Sequence, residues 1–197
     1  MTVEVNVNDY CAKGLSGGKV AVFLSQEVLD TGFIPENNVI VGNVCLYSAT
    51  SGKALFRGKG GEQFCVHNSG VIAVVEGVGD YCAECMTGGR LVVLGETDRN
   101  FGASMSRGIA CIYDPSKIFP KKVNMGLVGL ESLDDNVEKE AVFNCIKEYV
   151  QYTNSAVGQD MLENLEERAR CFVKVMPHNY KSVLLERTAR DDKVEAT

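Results

Sequence analysis

Short apolar runs, each entered through a glycine, punctuate the first two-thirds of this chain. Val20-Ala21-Val22-Phe23-Leu24 follows Gly18, and Ala54-Leu55-Phe56 follows Gly52. Val71-Ile72-Ala73-Val74-Val75, Leu91-Val92-Val93-Leu94 and Ile109-Ala110-Cys111-Ile112-Tyr113 follow Gly70, Gly89 and Gly108. The last four glycines are 18, 19 and 19 residues apart, and the 34 residues from Gly18 to Gly52 come close to two periods. A fixed period of this kind predicts a stacked array in which no single repeat can bury its own apolar face. The polar stretches repeat as well. Asp9-Tyr10-Cys11-Ala12 stands ahead of Gly18 as Asp80-Tyr81-Cys82-Ala83 stands ahead of Gly89.

Aligned on these glycines, the position two residues on holds Val20, Ala54, Ile72, Leu91 and Ala110. The position four residues on holds Val22, Phe56, Val74, Val93 and Ile112. Strand side chains alternate between faces, so the two columns share one face, which is read as the interior. The column between them, Ala21, Leu55, Ala73, Val92 and Cys111, is apolar too. Strands buried on both faces read this way, so the outer face of the sheet is expected to be covered. Gly18, Gly52, Gly70, Gly89 and Gly108 are read as structural turn residues, and Gly58, Gly77 and Gly95 as the strand ends. Eighteen residues are too few for a strand, a helix and two loops, which argues against a βαβ sheet.

The predicted fold is therefore mainly β, a right-handed single-stranded parallel β-helix with a C-terminal helical segment. The coil is assigned to residues 1–130, the helices and a closing segment to 131–185, and a frayed charged tail to 186–197. Asp135 with Glu138 forms a capping box, after which Val142, Ile146, Tyr149 and Val150 recur at helical spacing. A second helix is expected after Asn154-Ser155, with Val157, Met161, Leu162, Leu165 and Ala169 on one face. Pro177 ends the run Phe172-Val173-Lys174-Val175. The helices are expected to cap the coil or to cover its outer face.

Composition narrows the function classes. The 197 residues carry a formal net charge of −6, with no basic footprint for nucleic acid. No apolar run approaches the roughly 18 residues that span a bilayer, and the N-terminus lacks signal-peptide character. A cytoplasmic location is expected, without membrane or nucleic-acid partners. Most of the eight cysteines, Cys45, Cys65, Cys111 and Cys145 among them, sit in apolar or small-residue runs and are read as small buried hydrophobes. Cys82 and Cys85 have metal or redox spacing, yet no second pair stands at such spacing, and Cys82, which aligns with Cys11, is read as a position of the repeat. His67 falls in a column with Leu15, Ala49, Met86 and Met105 and is expected to be packed; His178 is the other histidine. Asp80 and Glu84, with Glu62 and Glu76 on neighbouring rungs, offer carboxylates for a lyase-like site, but Asp9 and Asp80 fit turn positions better. No catalytic, cofactor-binding or metal-binding residue is assigned. Lys19, Lys53 and Arg90 each follow a glycine and stack into a cationic column, read as a solvated ridge or as a surface for an anion or for acidic groups of a partner domain.

Several blocks, in order, resemble the glycine-repeat (GXGXG) β-helix domain at the C-terminal end of the glutamate synthase large subunit. They are Asn8-Asp9-Tyr10 with Lys13-Gly14-Leu15-Ser16-Gly17-Gly18, Gly42-Asn43 with Cys45-Leu46-Tyr47, and Val74-Val75-Glu76-Gly77-Val78-Gly79-Asp80. Met86-Thr87-Gly88-Gly89, Arg99-Asn100-Phe101, and Phe172-Val173-Lys174-Val175-Met176-Pro177 with Tyr180-Lys181 complete the set, which covers residues 6 to 185. Ser51 and Arg107 depart from the family's glycines. The resemblance implies a structural domain packed against an amidotransferase domain and an FMN barrel with an iron–sulfur cluster, and against a small subunit. In those other parts glutamine and 2-oxoglutarate become glutamate; this chain itself holds no cofactor. The resemblance further implies rungs upstream of Asn8, so self-association through the N-terminal rung, or its capture by an upstream domain, is expected. A free-standing β-helix or ligand-binding module, related to the glycine-repeat subunit of formylmethanofuran dehydrogenase, is the alternative.

Overall fold

The computed structural model describes residues 1–184; the tail assigned to 186–197 lies outside the described residues. The elements, in order, are β1 (Thr2–Val3), β2 (Ser16–Val22), α1 (Gln26–Leu29), β3 (Val39–Val41), β4 (Ser51–Gly60), β5 (Ser69–Val78), β6 (Thr87–Val93), β7 (Arg107–Tyr113) and β8 (Val128–Ser132). Then come α2 (Asn136–Thr153), α3 (Ala156–Glu163), α4 (Leu165–Ala169) and β9 (Phe172–Pro177). The sheet runs β1-β2-β4-β5-β6-β7-β9-β8, with β3 pairing the far end of β4. All pairs from β1 through β7 are parallel, and the chain climbs a β-solenoid of about six turns. β9 closes the stack antiparallel to β7, and β8 pairs β9. The C-terminal segment is thus stitched into the same sheet as the coil.

The strand register corrects the sequence alignment at one rung. Lys53 pairs with Ile72 and Ile72 with Arg90, so the inward columns are Val20, Ala54, Ala73, Leu91, Ala110 and Val22, Phe56, Val75, Val93, Ile112. Ile72 and Val74 leave those columns, and Val74 joins Ala21, Leu55, Val92 and Cys111 on the outer face. A one-residue slip moves every side chain of a strand to the other face. Val71, not Gly70, therefore occupies the place held by Gly18, Gly52, Gly89 and Gly108. Those four glycines have φ between +71° and +103°, whereas neither Gly70 nor Val71 has positive φ. The turn at this rung is built differently. The buried Asn68 side chain accepts from the backbone N–H of Gly70 and Val71 and donates to the Val71 carbonyl. A local side-chain turn replaces the left-handed glycine. β4 and β5 also run past Gly58 and Gly77, which sit within strands rather than at their ends.

Ahead of β2, β4, β5, β6 and β7, three residues at alternate positions adopt left-handed backbone. They are Tyr10, Ala12, Gly14; Val44, Leu46, Ser48; Gln63, Cys65, His67; Tyr81, Ala83, Cys85; and Asn100, Gly102, Ser104. Each non-glycine residue held there costs on the order of 1 kcal/mol. Rung-to-rung hydrogen bonds offset that strain: Val44 donates to Glu62, Gln63 to Asp80 and Tyr81 to Arg99, while Leu46, Cys65, Ala83 and Gly102 donate back to Cys11, Cys45, Phe64 and Cys82, all at 2.8–3.0 Å.

Two cores result. The coil interior holds both inward columns with Cys45, Cys65, Cys82, Phe64 and Phe101. The second core joins the outward column to one face of the helices, including Val142, Phe143, Ile146, Tyr149 and Met161. Asp135 caps α2 by accepting from the Glu138 N–H at 2.8 Å, and Ser155 caps α3 by accepting from Gly158 at 3.0 Å. The expected second helix is broken at Asn164 into α3 and α4. Leu165, placed on its apolar face by spacing, is instead 36% exposed.

Candidate functional site

Among the described residues, charged and polar side chains gather along the seam between the coil and α2. Lys19, Lys53 and Arg90 do stack, with Ile72 between Lys53 and Arg90. Their partners lie on the chain's own helix. Glu148 receives both Lys19 and Lys53, the latter at 2.5 Å, and Glu138 receives Arg90 at 2.9 Å. Lys19 also lies over the Tyr152 ring. Ten residues of helix rise about 15 Å. From β6 to the midpoint between β4 and β2 is roughly 12 Å at the usual strand spacing. Glu138 and Glu148 thus match the pitch of the column. The hydrogen bond from Lys19, then that from Lys53, holds the Glu148 carboxyl below its ordinary value. An open depression of about 550 Å³, lined by Gly18, Lys19, Gly52, Lys53, Gly70, Ile72 and Glu148, lies over this column. Its lysines already share one carboxylate, which weakens the case for a bound anion. We expect Lys19→Ala to shift the melting temperature only slightly, because ion pairs that stay partly open to solvent contribute little and are screened by salt.

Toward the C-terminal end of α2 the seam becomes buried. Glu76 Oε1 accepts from the Tyr149 hydroxyl at 2.8 Å and from the Ser155 hydroxyl. Arg57 Nη1 donates to the Thr153 carbonyl at 3.2 Å, satisfying one of the last carbonyls of the helix. Burial pushes the Glu76 carboxyl above the usual carboxylate range, against the opposing effect of the Ser155 and Tyr149 hydroxyls.

The carboxylates considered for a lyase-like site lie in different surroundings, with Glu84 half-buried. Asp80 accepts from the Arg99 N–H at 2.7 Å and Asp9 from the Asn43 N–H at 2.8 Å, each tying one rung to the next. Glu62 is exposed. Glu76 faces the helices. His67 is exposed and meets Tyr47 edge-on, while Asn68 takes the buried column place assigned to it. The register slip explains that exchange as well. His178 is exposed and its N–H donates to the Leu127 carbonyl.

Cys82 lies in the coil interior and Cys85 at a half-buried left-handed turn position. All eight cysteines are free. Burial raises the Cys82 thiol and pushes that of Cys45 up to about 12. Thiolates are the metal-binding form, and no group of three or more metal-ligating side chains occurs among the described residues. Cys82 and Cys85 are therefore expected to hold neither an iron–sulfur cluster nor a zinc ion. Elemental analysis of the purified chain is expected to give no stoichiometric zinc or iron; one metal per chain that disappears in Cys82→Ser would contradict this.

The cationic column is legible in the sequence, whereas its partners Glu138 and Glu148 and the Glu76–Tyr149–Ser155 contact are not. The one available signal was an amphipathic helix carrying acids beside a basic column. No helix among the described residues is long and apolar enough to cross a membrane.

The family described as GXGXG motif matches residues 1–178. A glutamate synthase [NADH] of Schizosaccharomyces pombe is 44% identical over 195 residues, which is 99% of this chain and 9% of that protein. The glutamate synthase [NADPH] large chain of Bacillus subtilis is 46% identical over 180 residues, 90% of this chain and 12% of its own length. A ferredoxin-dependent glutamate synthase 2 of Synechocystis is 38% identical over 179 residues, 91% and 11% of the two chains. The chain spans about a tenth of each of these relatives. With its glycine-led rungs, parallel coil and closing antiparallel pair, it belongs to the GXGXG family, the glycine-repeat coil carried within glutamate synthase large chains.

Proposed function

We propose that this chain is a non-catalytic scaffold domain of a glutamate synthase, packed against the amidotransferase and FMN-barrel domains of the same cytoplasmic enzyme. In this reading glutamine and 2-oxoglutarate are converted to glutamate in those other parts, where the flavin and the iron–sulfur cluster also reside. One observation carries the reading. Burial falls off at the β1–β2 end of the stack: Cys11, Ala12 and Leu15 are only half-buried, whereas their column neighbours Cys45, Leu46 and Ala49 are fully buried. Apolar interior positions left open at the end of a repeat array need a neighbour. About nine-tenths of each relative lies outside the matched region, which makes another domain of the large chain the natural occupant.

The test is to mix the chain with the remainder of a large subunit and follow amide exchange. Protection is expected at residues 1–15, together with the turn around 43–47. Protection elsewhere with none at this end would overturn the reading. Without that neighbour, light scattering is expected to reveal self-association through the same rung. The chain by itself is expected to bind no flavin and to hydrolyse no glutamine above a blank, as measured by flavin absorbance and glutamate release.

A further inference from the structure

Glu76, near the end of β5, is 2% exposed and incompletely paired. Oε1 takes both hydroxyls, while Oε2 is buried with no hydrogen-bond partner. Both donors belong to the helical segment. Tyr149 stands in the last turns of α2, and Ser155 is the residue that caps α3. One carboxyl therefore ties the α2–α3 junction to the coil. Among the described residues the groups facing it are the Arg57 guanidinium from β4, the Glu36 carboxylate from the short turn Pro35–Asn37, and the Tyr149 phenol. Arg57 is itself engaged with the Thr153 carbonyl.

An ionised carboxylate with one oxygen lacking a protein donor is costly when buried. The neutral acid keeps Oε1 as acceptor for both hydroxyls and leaves only an O–H without a partner, which is the smaller loss. We propose that Glu76 is a proton-operated latch, which when protonated seats the α2–α3 junction on the coil and when ionised loosens it. The inference is independent of the scaffold reading, since it concerns only contacts within this chain. Its sign follows from linkage. A carboxyl whose folded value lies above its unfolded one stabilises the closed seam at low pH, and that stabilisation is lost as pH rises through the folded value.

The test is a carbon-detected NMR titration of the Glu76 carboxyl in the full chain, with amide exchange of residues 149–158 measured alongside and corrected for its intrinsic pH dependence. The carboxyl is expected to titrate above the ordinary glutamate range. Exchange at 149–158 is expected to rise at least several-fold through the same midpoint, while the N-terminal half of α2 stays unchanged. Glu76→Gln is expected to flatten this dependence. Tyr149→Phe, which removes a hydrogen bond to the ionised form, is expected to move the midpoint further up. A Glu76 carboxyl titrating in the ordinary range, or an exchange profile with the same pH slope in Glu76→Gln, would refute the latch. Should Glu76→Gln fail to fold, the wild-type titration and Tyr149→Phe decide the matter.

Discussion

Val93→Asp is expected to abolish the cooperative thermal transition at neutral pH. Val93 sits in the inward column between Val75 and Ile112, fully buried, with neighbours that offer no donor. An aspartate there must either remain ionised without a partner or be neutralised. Each outcome costs several kcal/mol, on the order of 4 or more, against a typical total stability of about 5–15 kcal/mol. The strand cannot escape by slipping one residue, because the outward column is packed under α2 and is just as apolar. Circular dichroism melting is the measurement. A melting shift no larger than that of Lys19→Ala would show that Val93 does not face the interior. Lowering the pH toward 4 is expected to recover part of the loss, since the neutral acid is the less costly form to bury.

Gly52→Ala is expected to destabilise the coil far more than Gly18→Ala, although the two glycines occupy one column. Both have positive φ, +103° at Gly52 and +71° at Gly18. The left-handed conformation costs an alanine roughly 1–2 kcal/mol at either site. The difference lies in the space around them. A Cβ at Gly18 has nothing within 4 Å, whereas one at Gly52 would stand 2.7 Å from the Gly18 carbonyl oxygen and 2.9 Å from the Gly17 carbonyl carbon. Those atoms are backbone of the preceding rung and cannot rotate away, so overpacking adds about 1–3 kcal/mol. Urea titration of the two variants is the check, with a clearly lower midpoint for Gly52→Ala. Equal midpoints would mean that the rungs separate more easily than their register implies.

The chain's own pattern determined the architecture. A period near 19 residues, glycines before apolar runs and two apolar faces together leave a stacked parallel coil with a covered outer face, because only stacking buries short strands of that kind. The Asp135 and Ser155 caps were equally legible, since a helix start is a local event in which a few residues satisfy their own neighbours' N–H groups. What escaped depended on contacts distant in sequence. Gly70 looked like its fellows, but Asn68 rebuilds that turn with side-chain hydrogen bonds and sets the rung one residue out of step. Local glycine spacing cannot report a register that is decided by cross-strand pairing. Nor does composition mark the left-handed residues Val44, Leu46, Gln63 and Tyr81, which would avoid that conformation in isolation. They are held there by hydrogen bonds to the rungs above and below. The same holds for Lys19, Lys53 and Arg90 with Glu148 and Glu138, and for Glu76 with Tyr149 and Ser155: partners 48 to 129 residues apart meet only once the helix lies across the finished sheet.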